Sequence, residues 1–267
     1  MTDTEGGSSL LSVQVHGDHT HHETGGTVVL GPALGTTPAI WTPMLAYLPD
    51  VRVVMYALRG HAGSVAPPGG YQLADLAQDV LTVMDQLHIA SAHHVGMSLG
   101  GMIALHLAVT HPDRVDSLGL ICTSAHPDDP QQWRAWAAQV REQGMAAVAE
   151  QTPARWFTEE FVEDPAARDA AAALLTVEPQ GYAGCCEALA DIDLRRGLTA
   201  VAAPTLVIAG DGDEVFPVEH SRLIADEVPD ARMHVIDRAA HLAAVQHPRR
   251  VADLVRELVS LPPFDAL

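Results

Sequence analysis

Ser98 stands between two glycines at fixed spacing, Gly96-Met97-Ser98-Leu99-Gly100. The apolar run Ala92 to Met97 leads into it, and Gly101-Met102-Ile103-Ala104-Leu105-His106-Leu107-Ala108 leads away with helical character. The pattern predicts a strand, a sharp turn carrying the serine, and a helix. A serine forced into such a turn projects its hydroxyl clear of the backbone, and side chains two residues to either side would collide across it. The helix that follows offers unpaired N–H groups and a positive end. Both favour the negative charge that develops when a hydroxyl attacks a carbonyl. These residues predict a nucleophile for acyl transfer.

A serine hydroxyl needs a base, and the base needs an acid to orient it. Two late segments supply them. The apolar run Pro204 to Ala209 ends in Gly210-Asp211-Gly212-Asp213-Glu214, and the run Arg232 to Ile236 leads to Asp237-Arg238-Ala239-Ala240-His241-Leu242. We expect Asp213 to be the acid, with Asp211 and Glu214 as neighbours that could compete. Of 15 histidines, only His241 follows a late apolar strand on a loop of small residues, so it is the expected base. An oxyanion hole needs two backbone N–H groups. One is expected from Leu99 and the other from the loop after the strand Thr27–Leu30. Pro32 has no N–H, so Ala33 is the first candidate and Leu34 the second.

These residues must be held by strands and helices in alternation. Leu10–His16 reads as an edge strand, and Thr27–Leu30, Val51–Ala57, Ala92–Met97 and Ser117–Cys122 as buried ones. A helix is expected through Trp41 and Leu48. Apolar residues at helical spacing from Leu73 to Leu87 predict another. Unbroken apolar strands separated by helices imply a mostly parallel sheet with helices on both faces, an α/β fold. From Asp128 to Thr199 the strand signal stops and the chain becomes Ala-, Glu- and Trp-rich. This predicts core residues 1–127, an inserted helical cap over 128–199, and the rest of the core over 200–267, closed by a helix from Pro248 to Leu261. Insertions near the carboxyl ends of sheet strands are natural lids.

The 267 residues are 48% hydrophobic, enough for a sizeable core. A formal charge of −19 argues against nucleic acid and anionic membrane surfaces as partners. Cys122, Cys185 and Cys186 form an odd set with no disulfide framework. The polar, acidic stretch Met1–Ser9 has no signal-peptide pattern, and no run reaches the roughly 18 apolar residues of a membrane span. A cytoplasmic location is expected. The turn Gly17–Gly26 holds three histidines with Asp18 and Glu23, but without regular spacing to aim them it reads as a solvated loop rather than a metal site.

Together these motifs resemble the α/β-hydrolase superfamily, whose members order their triad as nucleophile, acid, histidine. More narrowly the chain resembles the 3-oxoadipate enol-lactonases. The resemblance runs from about Leu30 to Pro248. It is carried by Ala33-Leu34-Gly35-Thr36-Thr37 with Trp41, by Gly96–Gly101, by Gly210-x-x-Asp213-x-x-x-Pro217 and by Ala240-His241-Leu242. Within the cap it is carried by Trp133-Arg134, Ala154–Thr158 and Gly181–Leu189. The chain departs from that family at Ala57, Ala62, Gly31-Pro32, Ala244 and Gln246. The resemblance implies two-step hydrolysis of a small lactone or ester carrying a carboxylate, in aromatic catabolism, with no metal or cofactor. A cationic partner for that carboxylate is then expected among Arg134, Arg155, Arg195 and Arg196. Leu34, Trp133, Arg134 and Trp156 are expected substrate contacts, and a homo-oligomer is compatible with the sequence. A carboxylesterase, a carbon–carbon bond hydrolase or a non-catalytic ligand-binding protein on the same fold are the alternatives.

Overall fold

In the computed structural model, residues 10–17 and 26–260 are described. The histidine-rich turn expected at 17–26 falls almost wholly outside them, as does the N-terminal stretch Met1–Ser9. Seven strands form one sheet in the order β1-β3-β2-β4-β5-β6-β7. They are β1 (Val13–His16), β2 (Thr27–Gly31), β3 (Arg52–Tyr56), β4 (Ala92–Met97), β5 (Val115–Ile121), β6 (Thr205–Gly210) and β7 (Arg232–Ile236). Only β1, at one edge, runs antiparallel, pairing Val13 with Tyr56.

The central strands are buried on both faces, which is why they read as unbroken apolar runs. β4 lies between β2 and β5. Gly31 is in register with Gly96, and Met97 with Ile121. The carboxyl ends of β2, β4, β5 and β6 are thereby brought level.

The expected helix through Trp41 and Leu48 is shorter and tighter than its pattern suggests: a 3-10 turn, Pro38–Trp41, then α1 (Thr42–Leu45). Proline at the start of each piece fits a first turn but cannot extend an earlier one. α2 (Leu73–Gln86) is capped reciprocally by Gln72 and Asp75. α3 (Leu99–Thr110) begins at the residue after the serine, and its first nine residues are buried except for His106. Its missing polar stripe reflects a helix enclosed on all sides.

Between β5 and β6 no strand occurs among the described residues. The chain forms α4 (Pro130–Gln143), α5 (Ala146–Ala149), α6 (Thr152–Trp156), α7 (Pro165–Leu174) and α8 (Pro179–Asp191). α4 and α8 pack closely and are fastened by Arg141 to Glu187. α9 (Val218–Glu227) follows β6, and α10 (Ala243–Gln246) and α11 (Pro248–Leu258) close the chain. No described helix is long and apolar enough to cross a membrane. All three cysteines are buried and free.

Candidate active site

Ser98 ends the short connection from β4 to α3 with φ 56° and ψ −120°, a backbone region that L-residues rarely occupy. Its surroundings over-determine that strain. The Ser98 N–H donates to Ile121 O at 2.9 Å. The Ser98 carbonyl accepts from Gly101 N, from Met102 N and, at 2.6 Å, from the Thr123 hydroxyl. Gly100 crosses so near to β2 that a Cβ there would run into the carbonyl of Gly31.

This crossing also sets the second loop. The Gly100 N–H donates to Pro32 O at 3.1 Å. Because the Pro32–Ala33 peptide is planar and trans, its N–H points the opposite way from that carbonyl. Neither the Ala33 nor the Leu99 N–H donates to another described residue. Such pairs of uncommitted donors suit a developing oxyanion.

The acid and the base meet as the residue order suggests. The Nδ1 of His241 lies 2.9 Å from Asp213 Oδ2 and 3.1 Å from Oδ1, with both side chains almost wholly buried. Oδ1 also accepts the N–H groups of Val215 and Phe216, at 2.8 and 3.0 Å. A carboxylate held by three donors has one orientation. It fixes the proton of His241 on Nδ1 and leaves Nε2 as the basic nitrogen. Phe216 packs its ring against the imidazole. Asp211 and Glu214, the competing acids, are exposed. Asp211 instead accepts the Ala239 N–H at 3.2 Å.

The histidine loop folds back across the sheet. Gly212 N donates to Ala239 O, and the Cys122 thiol at the end of β5 lies 3.7 Å from Ala240 O. Burial, and the charge of Asp213 next, push that thiol well above its ordinary range, so it stays protonated and unreactive. Two ties then join the loop to the cap: Leu242 N to Trp156 O at 2.9 Å, and Gln246, which accepts from Ala240 N at 2.7 Å and donates to Thr158 Oγ1 at 3.0 Å.

The expected substrate contacts divide. Leu34 is buried in the loop after β2, and Trp156 packs over Gly35 in the same loop. Trp133 is buried edge-on against Trp136 inside the cap. Arg134 does not meet the expectation. It is half exposed and ion-paired with Asp191 at the end of α8, so its charge is already matched within the cap. Arg195 is likewise paired with Asp193. Arg196 is exposed. Arg155 stacks over Trp136 in a narrow cleft with Tyr182 and, among the described residues, has no carboxylate partner. Sequence reasoning assigned no role to Thr123, His61 or Gln246, each of which has one partner far off in the chain: Ser98, Gly35 and Thr158. No cluster able to hold a metal ion occurs among the described residues.

A strained serine between a parallel strand and a helix, with a histidine–aspartate pair on the loops after two later strands of the same sheet, defines the α/β-hydrolase class. Residues 26–248 match the model of the alpha/beta hydrolase fold family, and the chain belongs to that family. It is 34% identical over 225 residues to 3-oxoadipate enol-lactonase 2 of Acinetobacter baylyi, covering 83% of this chain and 84% of that protein. It is 31% identical to RutD of Stutzerimonas stutzeri, whose name gives it as a carbamate hydrolase, covering 82% and 86%. Among solved structures, the enol-lactonase of Burkholderia xenovorans LB400 superposes with a TM-score of 0.89 at 32% identity, covering 94% of this chain and 96% of that one.

Proposed function

We propose that this chain hydrolyses a small lactone or ester by acyl transfer through Ser98, and that its substrate is a carboxylate-bearing enol-lactone of the 3-oxoadipate type. The observation that carries the reading is the left-handed backbone of Ser98 at the strand–helix junction. It has a cost of about 1–3 kcal/mol, persists only where the surrounding structure over-determines it, and clusters at active sites. Similarity to the Acinetobacter enol-lactonase over most of the chain supports the substrate class.

Nε2 of His241 takes the Ser98 proton as Oγ bonds to the lactone carbonyl carbon. The carbonyl oxygen becomes an oxyanion facing the N–H groups of Leu99 and Ala33. Collapse breaks the ring C–O bond, and the enolate, still tethered to the acyl group, takes the proton back from His241 to give the ketone, which leaves the imidazole neutral for the second half. Water, deprotonated by the same nitrogen, attacks the acyl-serine. The second collapse frees the acid and restores the Ser98 hydroxyl. Asp213 stabilises the imidazolium in both halves.

For the substrate carboxylate, Arg155 is the cap arginine we assign as counter-ion. Its neighbour Tyr182 packs over Gly35 of the oxyanion loop. The proposed reaction is tested by steady-state hydrolysis of the enol-lactone beside a panel of aryl esters and a carbamate. Enol-lactone turnover that vanishes in Ser98→Ala supports the reading. Ester turnover without lactone turnover assigns a carboxylesterase, and failure of a fluorophosphonate to label Ser98 rejects the nucleophile.

A further inference from the structure

His61 lies 37 residues before Ser98 in the chain, is fully buried, and has both ring nitrogens engaged. Nδ1 is 2.8 Å from the Arg59 carbonyl and Nε2 is 3.0 Å from the Gly35 N–H. A carbonyl only accepts and an N–H only donates, so one tautomer satisfies both: the proton on Nδ1, the lone pair on Nε2. Burial pushes this imidazole down from 6.5 to about 4, so it stays a neutral acceptor at working pH.

Gly35 is not an arbitrary partner. It occupies the third position of a turn closed by Thr36 N to Ala33 O at 3.2 Å, with the Thr36 hydroxyl on the same carbonyl at 2.7 Å. Its φ of +80° is what the third residue of such a turn needs, and the peptide before it could otherwise rotate. Pinning the Gly35 N–H to His61 fixes that peptide. The Gly100 N–H on Pro32 O fixes the peptide one residue before the turn. Ala33 and its N–H are held between these two anchors.

The other side of His61 reaches the cap. The Gly60 carbonyl accepts from Glu178 N, just before α8, at 2.8 Å, and Gly60 packs directly on Gly181 within α8. Arg59, whose carbonyl holds His61, is itself clamped to Asp79 of α2 through 2.6 and 3.0 Å contacts. The turn at residues 59–61 is therefore a strut joining α2, the cap helix α8 and the oxyanion loop.

We propose that His61 is a positioning residue for hydrolysis, acting as the acceptor that holds the Ala33–Thr36 turn so that the Ala33 N–H meets the oxyanion. This rests on the reading of Ser98 as nucleophile. The proposal concerns the transition state: a loosened turn leaves the substrate's resting contacts in place but misplaces one donor.

The test compares His61→Phe, which keeps the ring volume and removes both nitrogens, with His61→Gln, whose side-chain oxygen can accept in place of Nε2. For aryl-ester hydrolysis we expect His61→Phe to lower kcat about 10- to 100-fold, less than outright removal of an oxyanion donor. KM should stay within about twofold, and inhibition by a trifluoromethyl ketone should weaken by the factor lost in kcat while affinity for the product acid holds. His61→Gln should recover most of kcat. The Gly35 amide should exchange rapidly in the Phe variant and slowly in the Gln variant. In the unmodified protein, nitrogen NMR should show the His61 ring protonated on Nδ1. A ring protonated on Nε2 overturns the proposal even if a variant fails to fold. So does a Phe variant with unchanged kcat, or one that loses ketone and product binding alike. An unmodified protein inactive on every ester, with the Nδ1 tautomer and Gly35 protection intact, instead removes the hydrolase reading and leaves the clamp.

Discussion

At the scale of single residues, the site sets a carboxylate held by backbone and imidazole N–H groups beside two backbone donors left uncommitted among the described residues. Asp213 holds His241 and two backbone N–H groups at once. Asp213→Asn keeps the shape but offers an amide N–H where an acceptor is needed, which favours the wrong tautomer of His241. We expect kcat to fall about 10³- to 10⁴-fold with KM little changed, while Glu214→Gln, exposed beside it, is silent in the same assay. The cap arginines separate in the same way. Arg155→Gln should raise KM for a carboxylate-bearing lactone about tenfold, the loss of one charge-assisted contact, and leave an uncharged ester unaffected. Arg134→Ala should change neither, because its partner is Asp191. The turn at Ser98 and the pairing of Asp213 with His241 were legible because each of the three residues follows a strand of the same parallel sheet. The occupation of Arg134 was not, because Asp191 lies on another helix, 57 residues on.

At the scale of elements, periodicity located what regular patterns can locate. β2 to β6 fall where apolar runs predict them, and α2 where spacing of 3.6 predicts it. The short pieces α1, α5, α6 and α10 have four or five residues each, too few to show a period. They are held by tertiary contacts, and those contacts aim the site. Gln246, at the end of α10, is the clearest case. Its amide joins Ala240, beside His241, to Thr158 after α6. Gln246→Ala should leave the Ala240 N–H without its acceptor. That costs about 1–3 kcal/mol for a buried donor, read as a lowered urea midpoint. It should also lower kcat several-fold, because the histidine loop loses its tie to the cap. Gln246→Glu should restore the acceptor for Ala240 but lose the donor to Thr158, so stability recovers more than kcat does.

At the scale of the whole molecule, acid sensitivity follows from two histidines buried without charge. Burial brings both His61 and His94 down from 6.5 to about 4. Among the described residues the His94 ring has one hydrogen-bond partner, the Arg114 carbonyl at 3.3 Å, with Asp116 and His93 acting on it in opposite directions, and His61 is committed as an acceptor on Nε2. The unfolded chain leaves both near 6.5, so between pH 6.5 and 4 it binds protons that the folded chain refuses. The sign follows directly: stability is fully present above pH 6.5, falls as pH drops through the window, and levels off near pH 4. Each histidine contributes a slope of up to about 1.4 kcal/mol per pH unit within that window. The formal charge of −19 works the other way over the lower part of the range, since protonating carboxylates relieves self-repulsion. Comparing variants at each pH removes that shared background. His94→Gln should keep a partner for the Arg114 carbonyl and carry no titrating ring. Urea midpoints measured from pH 7 to pH 4 should then fall less steeply for His94→Gln than for the unmodified chain, by about the slope of one histidine. Equal slopes in the two proteins would mean that His94 takes up its proton in the folded state as readily as in the unfolded one.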